Sequence, residues 1–190
     1  MKKTLIHSQN FDKLDFSEKA LPEAEYEDCN FLNCNFYQTD LSNVNFEKCT
    51  FDGCDFSLAK LKNTVLMDVR FLNCKLLGLH FDDCNDFIMT VFFENCMLKL
   101  SSFYKLKLRK TKFVNCNLQE TDFSETDLSG SVFDNCDMLR TIFDFTNLEK
   151  ADLYSSFHYS IDPLKNKVKK AKFSKAEVLG LLDTFDIRIE

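Results

Sequence analysis

Nine cysteines and three histidines are the side chains of this sequence that could ligate a metal, form cross-links or act as nucleophile and base. Cys29, Cys34, Cys49, Cys54, Cys74, Cys84, Cys96, Cys116 and Cys136 never form a CxxC pair, the close spacing from which zinc sites draw converging thiolates. An odd number cannot pair completely within one chain. The N-terminus MKKTLIHSQN has no apolar stretch of signal-peptide length, so structural disulfides are not expected. His7, His80 and His158 are scattered and have no recurring Cys or Ser partner, and no nucleophile, base and orienting group stand together. Neither a phosphate-cradling glycine loop nor a dinucleotide fingerprint occurs. No catalytic residue, metal ligand or cofactor is expected, and the cysteines are expected to be small packing residues. No apolar run reaches the roughly 20 residues of a membrane span, so the expected location is cytoplasmic.

The elements that place these cysteines follow from their spacing. Every gap between neighbouring cysteines is a multiple of five, except the gap of 12 from Cys84 to Cys96. From Phe11 to Phe81, and again from Ile88 to Leu153, every fifth residue is Phe, Leu, Tyr, Ile or Met, giving 15 and then 14 consecutive matches. Two residues before this centre the chain is usually small, with Leu14, Lys19, Leu79, Asp86 and Leu106 as exceptions, and the cysteines fall there, Cys84 where the next centre would stand without the slip. Two residues after it stand turn formers such as Asn33, Asn43, Gly53, Asn73, Gly78, Asn95, Gly130 and Asn135. Neither a 3.6-residue nor a two-residue period fits this pattern.

The size of one coil follows from longer words. FLNC at 31 and 71 and FDGC at 51 recur every 20 residues, as do FENC at 93, FVNC at 113 and FDNC at 133. Four pentapeptides then close one coil, and the 22-residue step from 71 to 93 predicts a two-residue bulge near 85–87. About seven coils would stack to roughly 34 Å at ~4.8 Å per strand. The expected core ladders are Phe31, Phe51, Phe71, Phe93, Phe113 and Phe133, and Cys34, Cys54, Cys74, Cys96, Cys116 and Cys136. Each coil would bury its inward residues only against its neighbours.

The words CNFLN, CDFSL, TDFSE, TDLSG and ADLYS resemble those of the bacterial pentapeptide-repeat proteins, over residues 11 to about 157. The tail IDPLKN followed by KAKFSKAEVLGLL is similar to the end of the single-domain members. These include relatives of the fluoroquinolone-resistance proteins, which bind DNA gyrase and topoisomerase IV as mimics of duplex DNA. The resemblance implies an all-β fold, a right-handed quadrilateral parallel β-helix, and a non-catalytic protein that binds a protein partner. That partner would be a type II topoisomerase, with modulation of the enzyme or protection from quinolones as the outcome. The alternative is a structural interaction module with another protein partner.

Charge is the one surface signal. Residues 1–98 carry 16 acidic and 9 basic side chains, residues 99–112 carry six basic and no acidic ones, and residues 113–153 carry nine acidic and two basic ones. Two acidic segments thus flank a basic belt of Lys99, Lys105, Lys107, Arg109, Lys110 and Lys112. Rows of acid one strand apart would suit a groove built for DNA phosphates, and the belt interrupts such a rod. Direct nucleic-acid binding is not expected at a net charge of −6. Residues 1–10 are expected to cap one end, residues 11–157 to form the repeat, and residues 158–190 to supply a turn, a short α-helix and a tail. Ser174 with Glu177 predicts a capping box for that helix. Its apolar residues Val178, Leu179, Leu181, Leu182 and Phe185, with Ile187 and Ile189 beyond, are the expected contacts of a tail-to-tail homodimer.

Overall fold

The computed structural model describes residues 4–87, 89–185, 187 and 188. It is an all-β parallel solenoid whose regular longer wall spans about six turns. Eleven short strands carry its regular part: β1 (Leu5–His7), β2 (Asn10–Asp12), β3 (Glu25–Glu27), β4 (Asn30–Leu32), β5 (Asn45–Glu47), β6 (Thr50–Asp52), β7 (Val65–Met67), β8 (Val69–Leu72), β9 (Val91–Glu94), β10 (Lys112–Val114) and β11 (Val132–Asp134). They form two parallel sheets, β1-β3-β5-β7 and β2-β4-β6-β8-β9-β10-β11. Two further walls are ladders of single bridges. One runs Asp15, Asn35, Asp55, Lys75, Met97, Asn117, Asp137, Phe157; the other includes Asp40 with Lys60 and the series His80, Ser102, Asp122, Ile142. Strand β1 lies inside the segment expected as a cap, and pairs with β3 through Ile6 opposite Tyr26.

The strands are three or four residues long because each wall carries one inward side chain flanked by two outward ones. The inward centres then stack on themselves. Phe11, Phe31, Phe51, Phe71, Phe93, Phe113 and Phe133 form one column, with consecutive ring centroids 4.6–5.4 Å apart and planes within 18° of parallel. Neighbouring columns meet edge to face, as Phe81 does with Phe93 and Phe103 with Phe113. Across the bulge the pairing is Val69 with Val91 and Phe71 with Phe93, a 22-residue step that leaves the register intact. The extra residues go outward, with Phe87 91% exposed, while Met89 turns into the core. Ile88, the expected centre after the slip, lies outside the described residues.

Corners explain the residue two places after each centre. All the turn formers named above have φ between +51° and +69°. At the corner between the seven-stranded sheet and the Asp15 wall the asparagines form a ladder. Asn95 Nδ2 donates to Asn73 Oδ1 at 3.1 Å, Asn115 to Asn95 at 3.1 Å, and Asn135 to Asn115 at 2.9 Å. The same backbone is imposed on residues ill suited to it, among them Leu58 (φ +59°), Leu100 (φ +62°) and Phe145 (φ +53°).

One expectation needs correction, and the turn count needs its extent. The seven strands of the longer wall span about six turns from β2 to β11, and single bridges continue the ladder beyond it, Val132 to Asp152 to Lys172. The C-terminal segment is not an α-helix. Ser174 Oγ accepts the Glu177 N–H at 3.1 Å, but the Glu177 carboxylate is taken by the His158 N–H, also at 3.1 Å, which leaves the capping box half made. Gly180 lies against the Tyr159 carbonyl, where a Cβ would collide, and its own carbonyl accepts the Ile161 N–H at 2.9 Å. Docked in this way, the segment winds into two 3-10 turns, Val178–Leu181 and Asp183–Phe185. No described helix is long and apolar enough to cross a membrane.

Phe145 is a test of the corner rule, because it is exposed and so contributes little burial. Phe145→Asn should raise the unfolding free energy by roughly 0.5–1 kcal/mol by relieving left-handed strain. Denaturant unfolding of the two proteins measures the difference.

Candidate functional site

The cysteines do structural work. All nine are free and buried, and the inward thiols donate to the carbonyl of a centre residue one coil back: Cys54 to Phe31 at 3.3 Å, Cys74 to Phe51 at 3.4 Å, Cys96 to Phe71 at 3.3 Å and Cys136 to Phe113 at 3.4 Å. In the other columns a hydroxyl makes the same bond, as Thr126 does to Phe103 at 2.7 Å and Ser131 to Leu108 at 2.8 Å. Small size and one donor are what this position requires. Burial pushes the Cys49 thiol up to about 12 and raises Cys34 and Cys84 as well, the opposite of what a nucleophile or metal ligand needs.

The histidines each meet carboxylates, a pattern the sequence did not show. His158 Nδ1 lies 2.9 Å from Asp137 and His80 Nδ1 lies 3.5 Å from Asp82. His7, Glu27 and Asp28 gather their side-chain donors within 4.8 Å. Glu27 is already 3.4 Å from the Lys48 ammonium, so this exposed group is an ion-pair cluster.

What varies along the solenoid is its outside. The basic belt, whose role the sequence left open, divides in two. Lys99, Lys105 and Arg109 pair with acids on the following coil: Glu120 at 3.1 Å, Glu125 at 3.5 Å and Asp127 at 2.6 Å. Lys107, Lys110 and Lys112 make no ion pair among the described residues, and all three point outward around one corner. This is the corner at which the wall of β1, β3, β5 and β7 meets the seven-stranded sheet. It runs through Asp28, Lys48 and Asp68 and on through Lys110, Gly130, Lys150 and Lys170, all with φ of 52–69°.

Along that corner the charge changes sign. On coils one to four, the outward residues of the two strands and the turn between them carry Asp12, Glu25, Glu27, Asp28, Glu47, Asp52 and Asp68 against Lys48 and Arg70. The formal sum is seven acids against two bases, or −5. On the four coils beyond β9 they carry Lys107, Arg109, Lys110, Lys112, Lys150, Lys167, Lys169, Lys170 and Lys172 against Asp127, Asp134, Glu149 and Asp152. Nine bases against four acids is +5. Between the halves lies the coil of β9, where Arg70 sits over the Phe92 ring at 5.0 Å. Many remaining acids of 113–153, including Asp122, Asp137 and Asp144, belong to the other two walls. The acid–base–acid order of the sequence thus becomes a two-ended edge.

At the C-terminal end, Leu181 is half-buried against the core and Leu182 is half-buried, whereas Val178, Leu179, Phe185 and Ile187 are exposed. Ile189 lies outside the described residues.

Asp127 shows what a cross-coil pair contributes. Burial works against its ionisation, and hydrogen bonds from Arg109 and Ser129 outweigh that, so its carboxyl stays below the usual range. A depressed carboxylate stabilises the fold above its unfolded pKa of about 4, and the contribution is lost as pH falls through the folded value. Arg109→Met should therefore lower stability at neutral pH by no more than about 1 kcal/mol. The gap to the parent should close in the acid limb of a pH–stability profile, below the folded pKa of Asp127.

No curated protein sequence matches this chain at a significant level. Solved structures do. A trypsin-treated form of QnrB1, a plasmid-mediated fluoroquinolone resistance protein, superposes with a TM-score of 0.63 at 18% identity, covering 100% of both chains. HetL, a pentapeptide repeat protein involved in heterocyst differentiation regulation from the cyanobacterium Nostoc, superposes with a TM-score of 0.54 at 14% identity over 94% of this chain and 88% of its own. At such identities the likeness is one of fold. The sequence itself matches the pentapeptide repeat region over residues 24–85 and 87–157. Together with the stacked centres, the small donor beneath each and the left-handed corners, that match makes this chain a member of the pentapeptide repeat family.

Proposed function

We propose that this protein is a non-catalytic scaffold that binds a protein partner through its outer walls. The observation that carries the reading is the division of labour between inside and outside. Inward thiols and hydroxyls are committed to bonds between coils, and the outward columns carry the charge pattern. Nine unpaired thiols also fit a reducing, cytoplasmic location.

A type II topoisomerase is the more specific partner, and the fold likeness to QnrB1 over the full length of both chains supports it. The acidic half of the corner is the part suited to such a role, acting by shape and charge as a DNA mimic. Its rows lie ~4.8 Å apart, against ~3.4 Å per phosphate along one strand of B-DNA, so it imitates a duplex at reduced charge density. The basic half limits mimicry to about half the rod. A supercoiling assay with purified gyrase, with and without a fluoroquinolone, tests this. Altered supercoiling or drug protection at roughly 10 μM protein is the expected result; no effect leaves a scaffold for a different protein.

The exposed Val178, Leu179, Phe185 and Ile187 support a tail-to-tail homodimer, since Leu181 packs on the core while these four are left facing outward. Deleting residues 174–190 should convert dimers to monomers in light scattering. A full-length particle of 22.2 kDa at micromolar concentration would rule this dimer out.

A further inference from the structure

The two-ended corner is complementary to itself only when inverted. A two-fold related pair places the same patch of both chains in contact, so residue i meets residue j and j meets i. For an edge of −5 on one half and +5 on the other, parallel copies set like charge against like. Antiparallel copies set each acidic half against a basic half, twice over. From these observations we infer that the corner is a lateral, antiparallel contact between two copies of this chain, with the two-fold axis passing between β9 and β10, which sets Glu25 and Glu27 against Lys169 and Lys170, and Glu47 against Lys150.

The residues best placed to make it are Glu25, Glu27 and Glu47 at one end and Lys150, Lys169 and Lys170 at the other. In the acidic half two carboxylates share one ammonium, with Lys48 3.1 Å from Glu47 and 3.4 Å from Glu27. In the basic half Lys150, Lys169 and Lys170 are exposed and make no ion pair among the described residues. Of the acids on that half, Asp127 and Asp152 are already held, by Arg109 at 2.6 Å and Lys172 at 2.8 Å. Lys150 and Lys170 occupy the same corner one coil apart, at φ +60° and +62°, so their charges repel within the monomer. An opposing row of carboxylates relieves that repulsion. At the centre of the edge β9 presents the half-buried Phe92, under Arg70, and the outward Glu94. About five coils separate the centres of the two halves, roughly 24 Å, which is longer than a Debye length at physiological salt. Each half therefore acts as a separate charged end. The contact uses none of the C-terminal apolar residues, so the two modes of self-association are separable.

Two charge-reversed full-length chains test it. One carries Glu25→Lys, Glu27→Lys and Glu47→Lys, making both halves basic; the other carries Lys150→Glu, Lys169→Glu and Lys170→Glu, making both acidic. Sedimentation velocity at low and high salt should show lateral association of the parent that weakens as salt rises. Each variant alone should associate at least about tenfold more weakly. An equimolar mixture should recover association, because both of its contacts are then complementary. All six positions are outward, and circular dichroism of each variant confirms that the solenoid is intact. Zero-length carbodiimide coupling of the parent should join peptides bearing Glu25 or Glu27 to peptides bearing Lys150, Lys169 or Lys170. Within one chain these groups lie six or seven coils apart, about 29–34 Å, so such a link is intermolecular. A parent that stays monomeric at low salt overturns the proposal. So do variants that associate like the parent, a mixture no better than its components, or couplings confined to neighbouring coils. If self-association grows with salt and disappears on deleting residues 174–190, the tail patch is the only contact.

Discussion

Everything in this molecule depends on in-register stacking at the spacing of a parallel strand pair. Each inward side chain sits on its counterpart one coil away, and the ring-to-ring distance of about 5 Å in the Phe31 to Phe133 column is that of the backbone ladder. One flat ring fits the step, so the same residue type serves on coil after coil. A smaller side chain would open a void shared by two coils, and a larger one would force them apart. The small inward residue before each centre obeys the same rule with a polar addition. It must be narrow enough for the turn and must donate one bond to the coil behind, which Cys, Thr and Ser all do.

The register that aligns the core also aligns the surface, and there it is a burden. Like charges one coil apart repel by about 0.8 kcal/mol even in water. The chain meets this in two ways. Over the walls, cations face acids on an adjacent coil, as Lys99 faces Glu120 and Lys105 faces Glu125. Such exposed pairs add little stability, about 1 kcal/mol at most, and their main effect is to erase a field that would otherwise build up. At the corner beside the seven-stranded sheet the field is left standing, acidic on one half and basic on the other.

The ends obey a different constraint, since the last coil has no neighbour above it. Tyr159 and Phe173 pack there with ring centroids 5.5 Å apart, and Leu181 of the 3-10 segment packs against the core. The segment is held by its backbone as much as by its side chains. Gly180 accepts from Ile161, and Glu177 accepts from His158, using groups that an isolated α-helix would have kept for itself. Tertiary contact overrides the local helical preference of AEVLGLL because only a glycine backbone can approach Tyr159 so closely.

The five-residue period, its phase, the 20-residue coil and the inward columns were legible because a repeated fold imposes one local requirement many times over. Asn33, Gly53 and Asn135 announced their corners, whereas Leu100 and Phe145 did not, since the left-handed turn there is imposed by the coils on either side. The form of the C-terminal segment escaped for a related reason: it is decided where the ladder ends and contacts cease to repeat. The two-ended charge of the corner escaped because a linear sum mixes residues that face four directions. Glu120 and Lys112 are eight positions apart and lie on different walls, while Lys110 and Lys170 are 60 apart and share a corner. Sequence alone determined what lies inside, since burial there is a property of each repeat. Tertiary structure decided what the surface presents, since charge acts through space and only the winding brings distant side chains into one field.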